Sequence, residues 1–418
     1  MHLCLFEDVT AVNFQPITYF RPMYDLRCGI WTLRDRIMFF FPHSSITLYC
    51  RQYLAPYVAE VNPDAEVNAI SSESCLFVNG RCIMTRPLAK LIGKAKSDVL
   101  FIMRDDVVAA RLSGENLVKS RSALYTDALD LSVLTGIPTV EVDAHLVRYP
   151  WDLVAANETQ IAADFSLLNK KGKEVVRKGK VHRSAVLIGK KNIHIGKKSV
   201  VGAGAVLDAS AGPIFIGNNV KIHPTAVIEG PCFIGDGSAI KIGAKIYGDT
   251  SIGPVCKVGG EVVGSIFLSH VNKQHDGFVG HSYLSEWVNL GAGTTTSNLK
   301  NTYGTVKVHL NGSLVDSGRM FVGLIAGDHV KTGINATLDT GTVLGAGSNI
   351  YGTSIPPKYI SPFSWGSPDR LEENDLDRAL SVAVKVMSRR NVVASPVYKD
   401  LFRAVHSLTR NEQSKRSA

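Results

Sequence analysis

Between residues 214 and 259 an aliphatic side chain returns at every sixth position: Ile216, Ile222, Ile228, Ile234, Ile240, Ile246, Ile252 and Val258. A step of six is neither the 3.6-residue period of a helix nor the alternation of a half-buried strand. It suits a coil with three flat faces of six residues, each face turning one aliphatic inward. The pattern therefore predicts a parallel β-helix of the hexapeptide type, whose coils bury their aliphatics only by stacking on neighbours. The same step is legible earlier, at Ile188, Ile195, Val201 and Leu207. It resumes after a slip at Phe278, Leu284 and Leu290, and again at Leu338, Leu344 and Ile350. The slip at 265–274 and a longer break at 300–317 predict surface loops beside a binding site.

The flanks follow other patterns. Before the repeat, apolar runs at 75–78 and 99–103 read as buried strands, and 123–134 and 151–168 as helices, which predicts an α/β layer. After it, Leu376, Leu380, Val384 and Met387 recur at helical spacing. The expected architecture is an α/β domain over 1–180, a left-handed parallel β-helix over 181–356 and a helical extension over 357–418. Phe363 and Trp365 are expected to cover the open end of the coils.

Composition narrows this picture. Of the 37 glycines, 29 fall between 181 and 352, where corners need them, and only Gly29 and Gly80 occur in the first 80 residues. A glycine-rich loop that cradles phosphates is thus missing from the N-terminal region. Arg21, Arg27, Arg34 and Arg36 stand there instead, read either as phosphate ligands or as partners of Glu7, Asp8, Asp25 and Asp35. The seven cysteines lack CxxC spacing and read as reduced thiols, not as a disulfide or zinc framework. No apolar stretch is long enough to span a bilayer and the first residues do not resemble a signal peptide, so a soluble, cytoplasmic protein is expected. The net charge of +9 comes from residues 170–198, with eleven Lys or Arg against Glu174 alone. No nucleic-acid-binding motif accompanies that segment, which reads as a solvated linker attracting anionic substrates.

Chemistry is concentrated between the two breaks, from Asn272 to Asn301. The segment holds His275, His281, Asn289, Asn298, Lys273 and Lys300. Polar residues that interrupt a hexapeptide pattern are either solvent-facing corners or part of a site. A neutral imidazole near pH 7 can take a proton from an amine or hydroxyl, which makes His275 the candidate general base.

The segment resembles the acetyltransferase half of the bifunctional N-acetylglucosamine-1-phosphate uridyltransferase/glucosamine-1-phosphate acetyltransferase family. That family carries a His, an aromatic three residues on, an Asn-aliphatic-Gly-Ala-Gly-Thr block and a further Asn. Placing the block on Gly291 to Thr294 puts His275 on the catalytic base, Phe278 on the substrate-site Tyr, and Asn289 and Asn298 on the two substrate-site Asn. It puts Ala292, with Gly291, on the acetyl-CoA contact. There are departures. Phe278 lacks the Tyr hydroxyl, and a phosphate-binding Lys falls on Gly304, leaving Lys300 or Lys307 to replace it. His281 falls on a family Asp and is the competing base. Lys273 and Tyr283, in the same segment, complete the expected substrate-binding set.

The N-terminal region then takes the place of the family's nucleotidyltransferase domain, in a divergent form. The family's nucleotide loop is absent, and Val78-Asn-Gly80-Arg81 puts Arg81 where an Asp would hold Mg²⁺. Arg21, Arg27 and Arg81 are its candidate phosphate contacts, Mg²⁺ is expected only if that domain is active, and no resident metal is expected. The resemblance implies acetyl-CoA-dependent transfer to the amine of a sugar phosphate or nucleotide-sugar, in a homotrimer with sites between subunits. The alternatives are a sugar-1-phosphate nucleotidyltransferase that uses the β-helix as a trimer scaffold, and a non-catalytic nucleotide-sugar-binding regulator.

Overall fold

The computed structural model of the protein describes residues 1–123, 128–131, 134–169 and 178–417. Half of the helix expected at 123–134, and residues 170–177 of the basic segment, lie outside these; residues 128–131 and 134, which are described, are not helical. The N-terminal sheet runs, edge to edge, Glu66–Val67, Ser45–Leu48, His2–Phe6, Ser74–Asn79, Asp106–Ser113, Val99–Met103 and Thr139–Glu141. His2–Phe6 lies parallel to both neighbours, while Asp106–Ser113 is antiparallel to both of its own. The central strands are apolar on both faces because helices cover both, hence continuous runs such as Cys75 to Val78.

After Phe6 the chain leaves the sheet and crosses to the β-helix. Phe14, Ile17, Met23 and Leu26 share one core with Ile266, Tyr283, Ile325 and Val343. Polar contacts fix this crossing: the Arg27 N–H donates to Tyr283 Oη at 2.9 Å and Ser251 Oγ donates to the Gly29 carbonyl at 2.9 Å. Helix Pro150–Leu168, capped by Asp152, buries Trp151, Leu153, Ile161 and Phe165 against the same junction.

The expected left-handed parallel β-helix is present. Its first face carries strands from Lys180–Val181 to Asn272–Lys273, its second from Val186–Ile188 to Phe278–Gly280, and its third from Ile193–Ile195 to Tyr359–Ile360. The aliphatic ladder from Ile216 to Val258 points inward, each member at most 1% exposed. Corner residues adopt left-handed backbone repeatedly along the coils. At the junction of third and first faces these include Asn219, Gly237, Val255, His270, Trp287, His329, Gly347 and Phe363. Gly253 shows the closeness of the coils, since a Cβ there would lie 1.6 Å from the Leu268 carbonyl oxygen.

Three expectations are corrected. The slip at 265–274 is not a loop: Ile252 pairs with Phe267 and Val258 with Lys273, so a shortened coil absorbs it and keeps strand register. The break at 300–317 contains an antiparallel hairpin, Lys307–Leu310 with Ser313–Asp316. The coils also continue past 356, through Tyr359–Ile360 and Ser364–Ser367. Pro356 and Pro357 have no N–H for a ladder, but they sit in a turn between strands, where none is required.

Helix Leu376–Ser388, capped by the Asp375 carboxylate, then lies along the first face. Arg378 sits over the Trp365 ring at 5.0 Å, and Arg390 Nη1, just past the helix, donates to the Val255 carbonyl at 3.3 Å. Helix Pro396–Ser417 packs Tyr398, Leu401, Phe402 and Val405 into the core shared with the N-terminal sheet.

Candidate active site

Outward positions of the first face form a polar column across successive coils. Lys257 pairs with Asn272, Asn272 with Asn289, Asn289 with Lys331 and Lys331 with Asn349. Neighbouring members stand about 4.8 Å apart, the spacing of strands. Asn272 Nδ2 donates to Asn289 Oδ1 at 2.6 Å, which fixes both amides. One corner beside the column carries His270 and Trp287, stacked at 4.0 Å between centroids. The opposite corner carries Gln274, His275, Gly291 and Ala292. With Val386, Arg389 and Arg390 from the C-terminal helix and its end, these residues enclose a cavity of about 570 Å³.

The cavity is strongly cationic. Lys257, Lys331, Arg389 and Arg390 line it, and its lining includes no carboxylate. Burial pushes Lys331 down to about 8, and its Nζ donates to the His329 carbonyl. Arg390, then burial, lowers Lys257. His275 is exposed at the turn between Asn272–Lys273 and Phe278–Gly280. Asn335 N donates to the Ala292 carbonyl at 2.6 Å, and Gly291 N donates to Thr332 Oγ1 at 3.1 Å. Gly291 is required by the close packing of coils, because a Cβ there would meet the Gly333 carbonyl at 2.3 Å.

His275, Asn289, Gly291 and Ala292 are thus brought to one cavity. Phe278, His281 and Asn298 lie on the other side of the His275 corner, on and beyond the second face. Asn298 Nδ2 donates to His281 Nδ1 at 2.7 Å, and the His281 ring stacks on Phe321 at 5.0 Å. With that lone pair engaged, and burial lowering its pKa, His281 offers no free acceptor nitrogen. Lys300 donates to the Thr305 carbonyl, and Lys307 is exposed on the hairpin, so both stay with this second group.

Other expected contacts are placed elsewhere. Lys273 follows Val258 on the inward column, is 2% exposed, and donates to the His275 carbonyl at 2.8 Å. It supports the His275 turn from inside the coils, where burial lowers its pKa to about 8. Tyr283 is fully buried against the N-terminal crossing. Arg21 is paired with Asp328 and Glu286, Arg27 donates to the Ile30 carbonyl, and Arg81 lies between Asp8 and Asp106. All three are buried. Their guanidinium groups are engaged inside the protein, because a buried cation needs an acceptor. Of the expected pairs with acids, Arg34 meets Asp25 at 2.8 Å.

The Arg81 geometry also bears on Mg²⁺. Its Nε lies 2.7 Å from Asp8 Oδ2 and its Nη2 2.5 Å from Asp106 Oδ1, so a fixed cation already neutralises the carboxylates at the ends of these strands. These residues do not fit a divalent ion. Among the described residues no group of three His, Cys, Asp or Glu is placed to hold a metal, and no helix is long and apolar enough to cross a membrane.

Several lining residues escaped the sequence reading. Lys257 and Lys331 are single outward positions in regular coils, and Arg389 and Arg390 lie far along the chain from the segment they cover. His270 had a signal, because it falls inside the slip at 265–274.

Residues 3–173 match the family model described as sugar nucleotidyl transferase. The bifunctional sugar-1-phosphate nucleotidylyltransferase/acetyltransferase of Sulfurisphaera tokodaii is 37% identical over 148 residues, covering 32% of this chain and 37% of that protein. The resemblance to that bifunctional family holds. The bifunctional protein GlmU of Methanococcus vannielii is 33% identical over 151 residues, covering 36% of this chain and 31% of its own length. The GlmU protein of Methanocaldococcus jannaschii is 30% identical over 201 residues, covering 48% of this chain and 41% of its own length. The chain therefore spans less than half the length of these GlmU-type relatives.

Proposed function

We propose that the chain is an acetyl-CoA-dependent N-acetyltransferase acting on an amino-sugar phosphate or nucleotide-sugar. One observation carries this reading: His275 and Asn289 share a cationic, carboxylate-free cavity with the Gly291–Ala292 turn. Acetyl transfer is in the name of the Sulfurisphaera tokodaii relative, and the family resemblance of the 272–301 segment supplies acetyl-CoA and the roles of His275, Asn289 and Ala292. Lys257, Lys331, Arg389 and Arg390 would hold the phosphates of donor or acceptor. Asn289, fixed by Asn272, would orient the acceptor. His275 takes a proton from the attacking amine, and the Ala292 N–H stabilises the oxyanion of the tetrahedral intermediate. A homotrimer fits this reading, because a neighbouring copy would bring further groups to the exposed His275 corner, with Phe278 and Asn298 at its other side.

Thiol release from acetyl-CoA with a panel of amino-sugar phosphates tests the proposal. Release from at least one acceptor, strongly reduced in His275→Ala, supports it. No release from any acceptor rejects it.

The match of residues 3–173 to sugar nucleotidyl transferases favours a second reading, nucleotidyl transfer by the N-terminal domain. Arg81 between Asp8 and Asp106 weighs against it, since phosphoryl chemistry of this kind draws on a metal held by such carboxylates. Mg²⁺-dependent pyrophosphate release would establish it.

A further inference from the structure

The cavity holds a second imidazole with a complete orienting network. Ser269 Oγ donates to Glu286 Oε1 at 2.7 Å and stands 2.8 Å from His270 Nδ1. A hydroxyl has one proton. With that proton directed at the carboxylate, Ser269 accepts from His270, which fixes the Nδ1–H tautomer and leaves the Nε2 lone pair free. Among the described residues Nε2 meets no protein partner, while the ring lines the cavity. Trp287 stacked on its face holds the ring plane. Glu286 is held in turn by Arg21 at 3.1 Å, and Arg21 comes from the N-terminal crossing. Burial pulls Glu286 upward, but Arg21, Ser269 and His270 outweigh it and keep the carboxylate below its ordinary range.

We infer that His270 is a second proton acceptor of this cavity, that it takes the first proton of an ammonium-bearing substrate, and that Ser269 is a positioning residue for it. The inference rests on the acyl-transfer reading and adds a residue and a substrate requirement to it. An amino sugar enters largely as an ammonium at neutral pH, because such amines titrate at about 8. It must lose two protons to become an amide. The first passes from nitrogen to His270 Nε2 and on to solvent. The freed lone pair attacks the thioester carbonyl, the C–N bond forms and the C–S bond breaks. The second proton leaves nitrogen for His275 and passes to the departing thiolate.

The surroundings suit this division. Lys257, Lys331, Arg389 and Arg390 disfavour a further positive charge on the substrate and lower the cost of its first deprotonation. Glu286, acting through Ser269, stabilises the imidazolium that results, the logic of a base backed by a third group. Burial lowers the His270 pKa, Glu286 raises it and Arg390 lowers it. His275, Lys257, Lys331 and Arg389 are the other titratable or charged groups lining the cavity around it.

The test is the pH dependence of acetyl-CoA thiol release with glucosamine 1-phosphate, for the full chain and for Ser269→Ala and His270→Gln. At pH 6.5 both variants are expected to lose kcat by about 10- to 100-fold with KM nearly kept, and the loss should shrink to within about 3-fold at pH 9, where the amine is already free. A loss equal at all pH values, or no loss, overturns the inference while leaving acyl transfer standing. No release by the unaltered chain removes both. Nitrogen chemical shifts of the His270 ring give a readout without turnover: the Nδ1–H tautomer at pH 7 is expected, and the Nε2–H tautomer would overturn the inference.

Discussion

Arg21 and Asp328, 307 residues apart in sequence, form a two-pronged ion pair with N–O distances of 3.0 and 2.5 Å. It joins the N-terminal crossing to the β-helix, and Ser285 Oγ and the Ile17 carbonyl accept from the same guanidinium. Burial raises the Asp328 pKa against the pull of Arg21, while Asp328 and Glu286 raise Arg21 against its own burial. The two direct N–H···O contacts keep both groups ionised at neutral pH. Removing one partner leaves a buried charge without its counterion. Arg21→Met is expected to lower unfolding stability by about 3–5 kcal/mol, read as a drop in the denaturation midpoint. Asp328→Asn together with Arg21→Met should recover part of the loss.

Lys273 makes a separate stability prediction. Burial holds its folded-state pKa down at about 8, below the ordinary value. The unfolded chain therefore binds the extra proton between about pH 8 and 10.4, and stability contributed at this position rises with pH across that window. Lys273→Met should abolish the rise and leave the protein at least as stable at pH 7. It should also reduce turnover, because the His275 carbonyl loses its donor. Thermal midpoints at pH 7 and 9.5 decide this.

Asp249 has the opposite sign. Burial, with Glu158 nearby, raises its pKa to about 6. Stability from this group is present at low pH and is lost as pH rises through 6. Asp249→Asn, which also tolerates the left-handed backbone at this corner, should raise the thermal midpoint at pH 8 and change it little at pH 4.

Arg389 and Arg390 predict a salt-sensitive donor site. Replacing both with Ala should raise KM for acetyl-CoA by about 10-fold at low salt, corresponding to about 1.4 kcal/mol. The difference should narrow as ionic strength rises. Steady-state kinetics at two salt concentrations measure it.

The sequence made the coils legible because an inward position every six residues leaves a one-dimensional signature. Ile216 to Val258 follow it without a gap. It also located the His275–Ala292 half of the cavity, where local motif and corner coincide. The rest was hidden for physical reasons. Lys273 looked like a ligand because a charge is seldom placed in an aliphatic column, and only register with Val258 shows that it points inward. Arg21 could be read as a phosphate ligand or as a partner of nearby acids, because its actual acids, Glu286 and Asp328, are reached only through folding. Arg389 and Arg390 reach the cavity because the Leu376–Ser388 helix lies along the first face, which no local pattern announces.

The most direct test of the account is the mass of the acceptor product. Incubation with isotopically labelled acetyl-CoA and glucosamine 1-phosphate should transfer the labelled acetyl group to the sugar nitrogen, with transfer strongly reduced in His275→Ala. Transfer unchanged in that variant would contradict the account.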